Sequence, residues 1–467
     1  IRILANKSIS ISTHANILNR KGSVEFGSIS LTAPSITLSQ SAIRGRTNIG
    51  RDAGAITLNA TAGDLTLSND SHILTSTIQG SGNAGLIGAQ ASNSILLSGG
   101  SSMESSSSSV ATGNGGAVML TAGNQVNLSG QGTALQSTTA GRGNGGLIQV
   151  DAGQSVTVND HASISTSSTS LASNAGNAGT IAINAGSDFQ NNGGIVRTTA
   201  AHGAGGDITI TAGNSVTLSN SSLVSASSTG EGNAGNILIN AGQNYTSTDS
   251  AVTTQATAPG TNASGGNITV LASDQVRLTN SQLNASVQGS STTVGGNIVI
   301  DPTYVILQNS QIIAQALQGQ GGNISITTNF FLPDSVSIVN ASSQFGVNGT
   351  VNIQSPLSQL GGKLSPLPKN SLESTTWINS RCRALAGGQA SSFVVAGRDM
   401  LPAEPGGWLG SPITGLTGEP VFSTHVPSFP QIHKVPSQEG TVSLRRMTPP
   451  GFLLQAFATD QSADCTS

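Results

Sequence analysis

The chain has 467 residues and a formal net charge of −3; only 8% of residues are charged, 3% are aromatic and 36% are hydrophobic, while 59 are glycine. This balance gives no basic surface for nucleic acid and no polybasic membrane patch, and no run approaches the ~18 apolar residues of a membrane-spanning helix. A disordered chain offsets weak hydrophobicity with charge or proline; this one does neither, so it must fold with little core per residue.

The first residues, Ile1-Arg2-Ile3, already read as strand, with neither an initiator Met nor a signal peptide, so a fragment or a processed form is expected. Residues 1–51 carry seven basic groups (Arg2, Lys7, Arg20, Lys21, Arg44, Arg46, Arg51) against Glu25 alone. Ordinary surface or a junction to a preceding part is the expectation there, with a binding patch as the alternative. A repeat then dominates. A glycine followed by a short alternating strand recurs at Gly54, Gly85, Gly116, Gly146, Gly179, Gly206, Gly235, Gly266, Gly296, Gly322 and Gly349, spaced 26 to 33 residues apart. A weaker copy at Gly27 makes twelve units.

Each unit has an internal order. In the unit opening at Gly206, Ile208 and Ile210 alternate with Thr, Val216 and Leu218 do the same, and Leu223 opens a third run. Period-two alternation marks a strand with one buried face. The three strands start about seven to nine residues apart, and a Gly/Ser/Asn-rich stretch such as STGEGNAG returns the chain to the next unit. One unit is therefore one coil of a triangular solenoid. The expected fold is all-β: a right-handed parallel β-helix of about twelve three-stranded coils over residues 1–355, since parallel crossovers are right-handed. At about 4.8 Å per coil the shaft is on the order of 55 Å long. Gly and Asn are expected to supply corners with positive φ. Phe189 and Tyr245 stand where other units carry Val and read as core.

From Pro356 the repeat stops, and residues 356–467 form a Pro-rich C-terminal segment, a possible cap or anchor, holding 12 of the 16 prolines. SLESTTWINSRCRALAGG reads as a short helix with Ser371 as N-cap and Gly387 near the C-cap, and SSFVVAG reads as a strand. The only cysteines, Cys382 and Cys465, lie here. A disulfide between them closes a loop of roughly 80 residues and stabilises by on the order of 4 kcal/mol; two free thiols are the alternative.

Chemistry is sparse along the repeat. Arg142, Arg197 and Arg277 fall at different places in their coils, and His14, His72, His161 and His202 have no repeated partner. Asp151, Asp160, Asp188, Asp207 and Asp274 are scattered and read as turn-capping or solvated rather than as paired acids. The glycine-rich stretches lack both the regular Asp of calcium-binding nonapeptides and the Lys of a phosphate-binding loop. No catalytic, cofactor or metal site is assigned. In the tail, His425, His433 and Glu439 leave a small opening for an effector activity.

The segments GGDITITAGNSVTLSNSSLVSAS and GGNITVLASDQVRLTNSQLNAS resemble the repeats of filamentous-haemagglutinin-like large exoproteins of Gram-negative bacteria, over roughly residues 20–355. CRALAGGQASSFVVAGRDMLPAEPGGWLGSP is similar to the C-terminal segment of such proteins. The resemblance implies a passenger of two-partner secretion: exported through an outer-membrane β-barrel transporter, extracellular or held at the cell surface, not an integral membrane protein. It also implies adhesion to a glycan or protein of a host or bacterial surface. No family catalytic residue is matched. A polysaccharide-active β-helix enzyme and the delivery stalk of a toxin are the competing readings.

Overall fold

The computed structural model describes residues 1–20, 27–48 and 50–356. These residues form 37 strands in three sheets of 13, 12 and 12 strands. In each sheet every strand pairs in parallel with the strand three places before and three places after it, as Ile208–Ala212 does with Ile181–Ala185 and Ile237–Ala241. The chain is thus a parallel β-helix of twelve complete coils, followed by one further strand, Val351–Gln354. The coil count matches the repeat count, but the frame is displaced by one. A first coil, Arg2–Leu4, Ser8–Ile11 and Asn16–Arg20, precedes Gly27, and the unit at Gly349 contributes a single described strand. The first coil escaped the repeat pattern because, with Arg2 in register with Ser30, the place of its leading glycine falls before Ile1.

Coils are numbered 1 to 12 from the N-terminus; coil 12 is Ile324–Thr327, Phe330–Pro333 and Ile338–Asn340. Alternation buries three residues of most first strands, such as Ile29, Leu31 and Ala33, and two of most second strands, and these stack into columns. One column runs Ile29, Ile56, Ile87, Val118, Ile148, Ile181, Ile208, with each member in register with the next. Burying each such side chain contributes about 1.5–3 kcal/mol. In coils 7 and 9 the usual Val–Leu pair of the second strand becomes Phe189–Asn191 and Tyr245–Ser247, so a large residue sits beside a small one and the cross-section keeps its volume. Phe189 and Tyr245 are fully buried, as expected for core. On the third strand the inward residues of coil 8 are Val224 and Ala226, while Leu223 is only half-buried and faces outward. The corner before that strand shifts the alternation by one residue.

Glycine has two separate duties. The leading glycines have no positive φ; they allow coils to touch. A Cβ on Gly206 would lie 1.8 Å from the carbonyl oxygen of Gly179, and one on Gly179 would lie 1.9 Å from that of Gly146. The left-handed corner lies elsewhere, between the second and third strands. It is occupied by Asn69 and Asp70, Gly99 and Gly100, Asp160 and His161, Asn220 and Ser221, and by single residues such as Asp249, Asn280 and Asn309. Asn and Asp tolerate this region because their short side chains bond locally. Pro34 and Pro302 stand at the corner between first and second strands, and Pro333 closes the last strand of its sheet, where a missing N–H costs least. The helix expected at 371–387, the SSFVVAG strand and the Cys382–Cys465 pair lie outside the described residues.

Candidate functional site

Polar side chains in this shaft are used mainly between coils. An asparagine ladder follows the return segments. The backbone N–H of Asn83 donates to Asp52 Oδ1 at 2.7 Å, that of Asn114 to Asn83 at 2.9 Å, that of Asn144 to Asn114 at 2.8 Å, and that of Asn177 to Asn144 at 2.8 Å. A second ladder, three residues further along the coil, starts at Asp207 and runs through Asn236, Asn267, Asn297 and Asn323 to Thr350. Each ladder opens on an Asp, which needs only to accept. At the left-handed corner a buried serine column does the same: the N–H of Ser222 donates to Ser250 Oγ, that of Ser250 to Ser281, that of Ser281 to Ser310 and that of Ser310 to Ser337, all at 3.0–3.2 Å. These bonds satisfy corner amides that the strand ladders do not reach.

The carboxylates singled out in the sequence are absorbed in the same way. Asp188 accepts from Ser215 Oγ at 2.5 Å and from Asn214 Nδ2 at 2.8 Å. The Ser215 hydroxyl, with smaller help from Ser187 and Asn214, holds its carboxyl below the usual range against the opposing effect of burial. Asp151 accepts from Asn184 Nδ2 of the next coil at 2.7 Å and from Gln149. Asp207 heads the second ladder, Asp160 sits with His161 in a left-handed corner, and the carbonyl of Asp274 accepts the N–H of Tyr304. Arg277 donates to Gln308 Oε1 at 2.9 Å. Arg197 lies within the third strand of its coil and faces outward. His202 approaches Glu231 of the next coil at 3.7 Å.

One row does have the elements of nucleophilic catalysis. His72 Nε2 lies 3.1 Å from Asp70 Oδ1, and His72 Nδ1 lies 2.8 Å from Ser102 Oγ. Because a carboxylate only accepts, Nε2 is assigned the proton, and in the neutral ring Nδ1 accepts from the Ser102 hydroxyl. Position decides what this row can do. His72 and Ser102 are adjacent coil neighbours on the third sheet, so the ring bridges coils 3 and 4. A concavity of about 250 Å³ opens beside the ring, lined by His14, Gln40, Arg44, Asn69, Asp70 and His72, but Ser102 is not among its walls. An oxyanion needs free N–H donors about 3 Å away. The N–H of Ser102 donates to Ser71 O, that of Ser101 to Ser98 O and that of Gly100 to Thr133 Oγ1. Ser102–Ser107 is paired on both sides. The backbone amides beside Ser102 are thus already used, and the row ties one coil to the next. Sequence reading left His72 isolated because its partner is one full coil away; the signal was the 30-residue offset to Ser102, legible only once the register is known.

Among the described residues no group of three or more His, Cys, Asp or Glu side chains converges as a metal site, and no helix is long and apolar enough to cross a membrane. Comparison with protein-family models, with curated proteins and with solved structures returns no match.

Proposed function

We propose that the chain is the shaft of a secreted or surface-held filamentous exoprotein of a Gram-negative bacterium, an adhesin that acts by shape. In this reading it leaves the cell through an outer-membrane β-barrel partner and binds a glycan or protein of another surface through its repeated outward faces, without catalysis. The observation that carries the reading is where the polar groups go among the described residues: the Asn, Ser and Asp side chains bond from coil to coil, and even the Asp70–His72–Ser102 row ties neighbouring coils. A stack of local coils also suits export in an unfolded state, because folding can nucleate in one coil and propagate.

The test is direct. Purified chain is screened against glycan arrays and intact cells, and saturable binding to a defined surface component is expected. In parallel, the protein is treated with a fluorophosphonate, which labels activated serines. No labelling of Ser102 is expected, because the amides beside it are spent. Labelling of Ser102 that is lost in His72→Ala would overturn the non-catalytic reading and turn attention to the Asp70–His72–Ser102 row as a hydrolase.

A further inference from the structure

Coil 7 (Ile181–Ala185, Asp188–Asn192, Ile195–Ala200) departs from the repeat in several ways, and the corner and second-strand departures fall at its junction with coil 6. First, the serine column is broken. The place held by Ser41, Ser71, Ser101 and Thr133 on one side, and by Ser222, Ser250, Ser281, Ser310 and Ser337 on the other, is Ala162 in coil 6 and Gly194 in coil 7. No hydroxyl there can receive a corner amide, so this column supplies no rung from coil 5 to 6 or from coil 6 to 7. It resumes only where Gly193 N donates to Ser222 Oγ at 3.0 Å.

Second, the core itself is interrupted. Asn191 stands in register between Val158 and Leu218 and is 0% exposed, yet both its Oδ1 and its Nδ2 lack a hydrogen-bond partner. A buried amide in this state is a direct penalty on the folded form. Gly194 is forced by the same defect: a Cβ there would lie 2.6 Å from Asn191 Oδ1 and 2.6 Å from Val158 Cγ1. Third, the end of the second strand loses its parallel neighbour. Asn159 meets Gly193 through an isolated antiparallel bridge, the only antiparallel one among the described residues. Fourth, the return from coil 6 to coil 7 is long: Gly146 and Gly179 are 33 residues apart, and Leu171 within that return is 82% exposed.

The strand ladders continue across both junctions. Between coils 6 and 7 the corner amides of Asp160 and His161 reach the carbonyls of Asn192 and Gly193, and Asn184 bonds Asp151. Toward coil 8, side-chain bonds are added at the second strand and the corner. Asp188 binds Ser215 and Asn214, and Ser222 Oγ donates to Asn191 O at 2.6 Å. A stack of repeats behaves as a sum of unit and neighbour terms, and its cooperativity breaks at the weakest neighbour term. We propose that the junction between coils 6 and 7 is a built-in joint, which divides the shaft into a block of coils 1–6 and a block of coils 7–12 that open separately. The joint follows from the shaft alone and does not rest on the adhesin reading.

Hydrogen exchange of the full chain, read by mass spectrometry across a denaturant series, tests this. Amides of Ile148–Ala152, Asp188–Asn192 and Ile195–Ala200 are expected to exchange at lower denaturant than those at the centres of the two blocks, and the two blocks are expected to lose protection at different concentrations. The double variant Phe189→Val/Asn191→Leu installs the Val216–Leu218 pair found in register in coil 8, keeps the volume of the cross-section and should slow exchange at the joint roughly tenfold. One transition shared by all coils in the wild-type chain would overturn the proposal, and so would joint amides as protected as those of coil 9. The wild-type profile decides the matter even where the variant fails to fold.

Discussion

Gly206→Ala is expected to destabilise the shaft by at least about 3 kcal/mol, while Gly88→Ala is expected to be neutral or to stabilise it by up to about 1 kcal/mol. Both positions belong to first-strand segments, and neither has a positive φ. What separates them is what a methyl group would meet. At Gly206 a Cβ falls 1.8 Å from Gly179 O, 2.7 Å from Gly179 C and 3.1 Å from Ala178 O, all backbone atoms fixed by the sheet. Relief requires the coils to part, which breaks ladder bonds on both sides. At Gly88 the nearest atom is Thr57 Cγ2 at 3.7 Å, an ordinary contact on the outward face, so alanine only restricts the unfolded chain. Unfolding midpoints in guanidinium, followed by far-ultraviolet circular dichroism, read the difference. Equal effects at the two sites would mean that the leading glycines serve chain flexibility and not close stacking.

That contrast marks how far the sequence can be read. The fold was legible because the same physical requirement repeats every coil: Ile208 and Ile210, then Val216 and Leu218, can be buried together only on parallel stacked strands. The leading glycines were visible as a period, but their reason was not. A period says that a residue is required, while only the distance from Gly206 to Gly179 says that the requirement is room. Leu223 opens the third run in the sequence, but its outward direction was not legible there, since it follows from the left-handed corner residues Asn220 and Ser221 that turn the chain before the third strand. The Asp70–His72–Ser102 row was hidden for another reason. Contacts between coils pair residues about thirty positions apart, and the offset drifts from 26 to 33 with the length of each return, so one side chain cannot be matched to another until the strands are in register. Asn191 shows the reverse case. It reads as one more Asn in an Asn-rich chain, and only its place between Val158 and Leu218 makes it an anomaly.

Tyr245→Phe is expected to stabilise the protein by about 1–3 kcal/mol at neutral pH and to abolish part of its sensitivity to alkali. Tyr245 lies between Val216 and Val276 in the core column of the second strands and is fully buried. Its hydroxyl makes no well-formed hydrogen bond, although the Ser247 side chain lies close enough to interact, so the wild-type fold carries a largely desolvated polar group that phenylalanine removes without changing the ring. Burial pushes the phenol above its ordinary value of 10.0, against the smaller opposing effect of the Ser247 side chain. The sign follows from linkage. A phenol whose pKa is raised by folding binds its proton more tightly in the folded chain. Its contribution is intact below the unfolded value and is lost as pH rises above it. Above about pH 10 the wild-type chain should therefore lose about 1.4 kcal/mol per pH unit from this residue, and Tyr245→Phe should not. The quantity to compare is the difference between the two proteins in denaturant midpoint from pH 7 to pH 11.5, since every other titrating group is common to both. A constant difference across that range would show that the Tyr245 phenol is solvated in solution. A buried phenol instead makes the difference widen with alkali, because the core column can accept a ring at this coil but has nowhere to place a phenolate.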